Sequence, residues 1–209
     1  MSGFDYHSRI ADPRFYCDNT LAPHCDAEYF APSEESEIEL RMTGDHLRRE
    51  NVNNSTYFRE NFNGSWKICV EKNFDDLVKG WEQPDFDCHN WDDICVPSHI
   101  ETEGFGIPHY TNTAYPWDGH EDIAQGEVPA IFNPVAAYVK YFYVPERFLS
   151  ERLFISFKGV ESSLILYLNG RYIGYSEDTF TPSDFELTKF LTEGENKLGV
   201  LVTKWSSGS

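Results

Sequence analysis

Asp178 stands in a short polar excursion, Ser176-Glu177-Asp178-Thr179, and Asn133 stands directly before Pro134. A carboxylate offers several lone pairs to a hard cation and accepts hydrogen bonds from hydroxyl groups, while an amide donates and accepts at once. Proline removes a backbone donor and biases residue 133 toward extended geometry, a way of projecting an amide from a strand end. Spacing alone gives each residue a structural reading too. Asp178 can be an Asx-type loop carboxylate accepting nearby backbone N–H groups, and Asn133 the turn-forming half of an Asn-Pro pair. Glu177, beside Asp178, reads as solvent-facing. Acidic residues abound, and counting neither finds nor rules out a carboxyl pair placed for acid/base work. His99, His109 and His120 share a region without compact metal-ligand spacing, so a zinc site is not indicated.

The elements that must position these residues follow from periodicity. Leu164, Leu166 and Leu168 alternate with Ile165 and Tyr167, and Asn169-Gly170 supplies the two φ > 0 residues of a type I′ hairpin, so Arg171 to Tyr175 is the returning strand. Beyond Pro182, residues Ser183 to Leu187 suggest a short amphipathic turn, and Lys197 to Val202 resumes the alternation. Upstream, strand-like alternation runs through Trp66-Ile68-Val70, Val139-Tyr141-Tyr143 and Leu153-Ile155-Phe157. Short strands with Gly and Pro punctuation predict an antiparallel sandwich. Residues 81–134 hold few clean strands, and a loop of that length inside a domain is usually functional or interfacial. Residues 1–54 lack sustained periodicity and read as an N-terminal arm, with Ile38 to Leu47 as its helical candidate. Residues 55–209 then form one β domain.

Composition bounds the partners. With 17 Lys+Arg against 35 Asp+Glu, the formal charge of -18 repels phosphate backbones and anionic lipid, so neither nucleic acid nor membrane surface is expected. A hydrophobic content of 40% with 16% aromatic is enough for a real core. The five cysteines, Cys17, Cys25, Cys69, Cys88 and Cys95, are odd in number and form no C-x-x-C pair, which fits a reducing cytoplasm better than a disulfide framework or zinc ribbon. The N-terminus lacks the basic start and apolar run of a signal peptide.

Several segments resemble the N-terminal sugar-binding domain of family 2 glycoside hydrolases, the β-galactosidase family. Residues 157–202, the hairpin with its acidic loop, look like the closing part of that domain. Phe62-Asn63-Gly64-Ser65-Trp66 is similar to the family's Leu-Asn-Gly-x-Trp, and Trp91-Asp92-Asp93-Ile94-Cys95-Val96-Pro97-Ser98 to its W-D-x-I-x-V-P-S. Residues 108–119 and Phe132-Asn133-Pro134 look like the Y-x-N-x-x-Y-P and N-P segments, and residues 19–26 resemble N-R-L-P-A-H-S-D with several departures. Beyond residues 157–202, these five matches fall in the family's order across nearly the whole chain.

The resemblance implies an all-β jelly-roll sandwich of the galactose-binding type, in a fragment that lacks the catalytic barrel. No carboxylate here matches the family's catalytic motifs, so no catalytic residue is assigned. The matching aspartate of the family contacts galactose and ligates sodium, which would make Asp178 both a substrate contact and a Na+ ligand. Asn133 would hydrogen-bond the sugar, and Mg2+ would belong only to the barrel. Expected partners are a β-galactoside, the remaining domains of the same enzyme and, in the full-length form, further copies of it. The fragment alone would be inactive. Trp81, Trp91, Trp117 and Trp205 could stack sugars, but such aromatics more often fill a core; Trp117, between Pro116 and Asp118-Gly119, is the least core-like. The alternatives are a stand-alone carbohydrate-binding or interaction module on the same scaffold, and the equivalent domain of a β-glucuronidase or β-mannosidase.

Overall fold

Asn169 and Gly170 turn the chain with φ of 50° and 77°, the left-handed pair that a two-residue hairpin needs. The turn joins β6 (Ser163–Leu168) to β7 (Arg171–Ser176). A register shift between Leu166 and Tyr167 leaves Ile173 as the extra residue of a bulge. Asn169 also binds its surroundings: its Nδ2 donates to Asn196 Oδ1 at 2.8 Å and its Oδ1 accepts from the Lys197 N–H at 2.9 Å. The computed structural model describes residues 4–23, 60–108, 113–124, 126–144 and 146–209. The chain divides into two units, Met1–Pro23 with Ser65–Ser209 and His24–Gly64. The helical candidate at residues 38–47, Cys25 and His109 lie outside the described residues.

Among the described residues, seven strands form one sheet in the order β1-β7-β6-β9-β4-β2-β3. The remaining five members are β1 (Cys17–Asp18), β2 (Gly64–Glu71), β3 (Asp92–Val96), β4 (Val135–Val144) and β9 (Gly194–Thr203). A second sheet pairs β5 (Phe154–Phe157) with β8 (Ser183–Glu186). The expected β architecture is present as two sheets; the alternations at residues 66–70, 139–143, 164–168 and 197–202 fall on strands, and that at 153–157 does so from Phe154 onward. The segment at 183–186 differs from its expected amphipathic turn. It is a strand with Ser183 and Phe185 buried, its period of two completed by hydrogen bonding to β5 some thirty residues earlier.

Both faces of the large sheet are covered, which is why every residue of β6 is buried. On one face Val135, Ala137, Val139, Ile165 and Leu201 pack against α1 (Tyr6–Ile10) and the aromatics Trp81 and Phe74. On the other, Phe185 of β8 lies fully buried so close to Gly174 that a Cβ there would meet its ring at 2.5 Å and Asp18 O at 2.6 Å. Burying one such phenylalanine contributes about 2–3 kcal/mol.

The long stretch 81–134 is held by a device within the core. Lys197, only 3% exposed, reaches from β9 and donates through Nζ to the carbonyls of Trp81, Gln83 and Phe86 at 2.7, 2.8 and 2.8 Å. The ammonium satisfies three acceptors that a loop packed on a sheet would otherwise leave unpaired. Trp81 beneath it is a core residue that touches Gly199.

Candidate functional site

The sheet register brings the two sequence-predicted residues to one end of the molecule. Val135 pairs with Thr203, Thr203 with Ser163, and the neighbouring Leu164 with Ser176. The start of β4, the end of β9, the start of β6 and the end of β7 therefore share an edge. Asn133 lies two residues before β4 and Asp178 two residues after β7. Three inter-strand steps separate these strands, about 14 Å at roughly 4.8 Å each.

Asp178 is exposed, and its Oδ1 accepts the N–H of Phe180 at 3.0 Å and of Thr181 at 2.9 Å. Those loop hydrogen bonds, Thr181 first, hold its carboxyl below the usual carboxylate range. The residue is thus an ionised, solvent-facing acceptor on an ordered Asx turn. Phe180 beside it is 93% exposed, a large apolar side chain with no cover among the described residues.

Glu177 is not solvent-facing as its sequence suggests. It is 9% exposed, takes the hydroxyl of Tyr175 and that of Ser207, and gives its own N–H to Tyr16 O at 3.0 Å. A Cβ at Gly208 would meet its Oε2 at 2.8 Å. Burial pushes its carboxyl up, against the lowering influence of these hydroxyls. Besides Tyr175, what surrounds it comes from Tyr16 and from Ser207 and Gly208, far away along the chain, so its burial is not marked locally in the sequence.

Asn133 is 2% exposed and spends its amide on backbone. Nδ2 donates to Trp205 O and Oδ1 accepts from Trp205 N–H, both at 2.9 Å. One Nδ2 hydrogen and one Oδ1 lone pair remain in its inventory. The Trp205 ring meets Trp117 edge-on at 5.6 Å, and Tyr115 stacks on Trp117 at 5.0 Å. Tyr115 is 66% exposed, so this aromatic series runs outward from Asn133 to solvent. Trp117 is half-buried, in keeping with its loop position, whereas Trp81 belongs to the core.

Sequence reasoning missed Glu121. Its carboxylate accepts three consecutive backbone N–H groups, from Ala130 at 3.1 Å, Ile131 at 2.8 Å and Phe132 at 3.1 Å, in the segment leading into Asn133. Partial burial raises its pKa, but these donors outweigh it and the net direction is down. No local pattern announces such a side chain. Among the described residues no three His, Cys, Asp or Glu side chains gather to hold a metal, and His120 stacks on Phe132 at 4.0 Å. Cys17, Cys69, Cys88 and Cys95 are free thiols, and no helix among the described residues is long and apolar enough to cross a membrane.

A large sheet covered on both faces and a second two-stranded sheet define a β-sandwich-type domain. Residues 59–209 match the family model of the glycosyl hydrolases family 2 sugar binding domain, and the chain belongs to that family. The β-galactosidase of Halalkalibacterium halodurans is 42% identical over 206 residues, covering 97% of this chain and 19% of that protein. The β-galactosidase of Streptococcus thermophilus is 40% identical over 201 residues, covering 96% and 18%. The chain thus spans under a fifth of the length of these two curated relatives. Among solved structures, Bacteroides uniformis β-glucuronidase 2 aligns with a TM-score of 0.51 at 19% identity, over 69% of this chain and 14% of that one. A family 2 member from Bacteroides cellulosilyticus gives 0.50 at 19%, over 68% and 17%. At such identity the likeness is one of fold.

Proposed function

We propose that this chain is the N-terminal sugar-binding domain, a jelly roll of the galactose-binding type, of a retaining β-galactosidase acting on terminal β-D-galactosides. The observation that carries the reading is the 42% identity to a β-galactosidase over 97% of the chain. Retention requires two carboxyl groups about 5 Å apart, and these belong to another domain of the same protein. Asn133 and Asp178 orient the galactosyl ring from this domain; their common edge of the sheet supports that role. A glucuronide-specific site must neutralise a sugar carboxylate, and residues 174–183 contain no Lys or Arg, which favours a neutral galactoside.

Asp178 also serves, in this reading, as a ligand for Na+. An exposed, ionised carboxylate suits a hard cation, but it supplies only a share of the several oxygens such an ion needs. The ion would supply a fixed positive charge for sugar hydroxyls to approach.

The test is substitution in the full-length enzyme with a chromogenic β-galactoside. Asn133→Ala should lower kcat/KM by up to about tenfold, the worth of one neutral hydrogen bond at about 0.5–1.5 kcal/mol. Asp178→Ala should lose two to three orders of magnitude, roughly 3–4 kcal/mol, together with part of the sodium response. Normal kcat/KM and normal sodium response in Asp178→Ala would remove the site assignment. Turnover of a β-glucuronide in preference to the galactoside would remove the substrate.

A further inference from the structure

Four contacts close a circuit around Asn133. The Glu121 carboxylate holds the N–H groups of residues 130–132, which lead directly into Asn133. The Asn133 amide holds the backbone of Trp205. The Trp205 ring meets that of Trp117, and Trp117 O accepts the Glu121 N–H at 3.1 Å, returning to the start. Three of the four links are hydrogen bonds; the Asn133–Trp205 bonds extend the β4–β9 pairing, and the Glu121 carboxylate bridges nine to eleven residues to reach the segment before Asn133. An acceptor that gathers three successive N–H groups ties the backbone of residues 130–132 to one carboxylate. We infer that Glu121 is a positioning residue for Asn133, setting the backbone path that presents its amide to the sugar. The inference rests on the sugar-contact reading of Asn133 for its effect on catalysis, and on the circuit alone for its effect on geometry.

Glutamate is suited to this task in a way its amide is not. Its two oxygens divide the donors, Ala130 N–H to Oε1 and the N–H groups of Ile131 and Phe132 to Oε2. Glutamine can keep the pair on one oxygen, but its NH2 would face the third donor. Glu121→Gln should therefore be intermediate and Glu121→Ala severe.

The experiment uses the full-length enzyme carrying Glu121→Gln, Glu121→Ala, Asn133→Ala and the Glu121→Ala/Asn133→Ala double variant, read by steady-state kinetics and by amide hydrogen exchange. If Glu121 acts through Asn133, Glu121→Ala loses about as much kcat/KM as Asn133→Ala, up to roughly tenfold, and the double variant loses no more than the worse single one. Glu121→Gln should lose about two- to threefold. Exchange at residues 130–132 should accelerate at least about tenfold in Glu121→Ala and should not accelerate in Asn133→Ala. Losses that multiply in the double variant would overturn the inference, as would unchanged exchange at 130–132. Faster exchange with normal kcat/KM in both Glu121→Ala and Asn133→Ala would instead defeat the sugar-contact reading, and with it any catalytic role for Glu121.

Discussion

Replacing Lys197 by methionine should cost the fold about 3–5 kcal/mol, the range found when one partner of a buried charged interaction is removed. Methionine keeps an unbranched stem, with sulfur in place of one methylene, and lacks the ammonium, leaving the carbonyls of Trp81, Gln83 and Phe86 without their donor. Three hydrogen bonds to a charged group are worth about 1.5–3 kcal/mol each, a gross loss of roughly 5–9 kcal/mol. Relief of the ammonium's desolvation returns several kcal/mol, which yields the net figure. Against a typical total stability of about 5–15 kcal/mol this is a large share. With a urea slope of about 2 kcal/mol/M, the unfolding midpoint should fall by roughly 1.5–2.5 M. Lys197→Arg should not rescue it, because a planar fork cannot sit at the apex of three converging carbonyls as a tetrahedral ammonium does. A Lys197→Met midpoint within about 0.5 M of the parent's would refute the reasoning, since the three acceptors would then have found other donors at little cost.

Gly199→Ala would place a Cβ 2.9 Å from the Trp81 ring, so the buried indole must shift; a loss of about 1–3 kcal/mol is expected, and thermal unfolding unchanged within error would contradict it. Burial raises the Glu177 carboxyl, so its contribution to stability is full below the ordinary glutamate pKa and is lost as pH rises through the raised folded value. Glu177→Gln should therefore gain stability relative to the parent as pH rises above the ordinary glutamate range in urea titrations, and a constant difference would show that no such proton is held. The 209-residue chain alone should not hydrolyse a chromogenic β-galactoside above background, because both catalytic carboxyl groups are proposed to lie elsewhere, and clear turnover by protein freed of host galactosidase would oppose that.

What could be read in advance was local. The Asn169-Gly170 hairpin follows from two residues able to take φ > 0 between runs of period two, and no distant partner is needed to choose it. Residues 183–186 were ambiguous because Ser-Asp-Phe-Glu satisfies a turn or a strand equally, and only pairing with β5 decides. Lys197 did carry a signal: alternation through Gly199 and Leu201 puts it on an inward face, where a lysine must find acceptors. Glu177 and Glu121 carried none, since their environments are made by Ser207 and by residues 130–132, groups remote in sequence that hydropathy does not mark. The loop around Asp178 was recognisable as a motif, while its Asx turn reflects the short-range competition of a carboxylate for nearby N–H groups.

The strand order has a consequence for how the molecule is made. β9 lies between β6 and β4 in the middle of the large sheet, yet it comes last of the strands along the chain. All ten residues of β4 find their register partners on β9, and all six of β6 do as well. As the chain emerges from the ribosome, β2 can pair with β4 and the β6–β7 hairpin can close, but these remain two half-sheets with facing open edges. Until residues 194–203 are free to slide between them, each offers unpaired N–H and C=O groups to any other nascent chain. The last strand acts as a bolt, so its arrival sets the window in which folding competes with association.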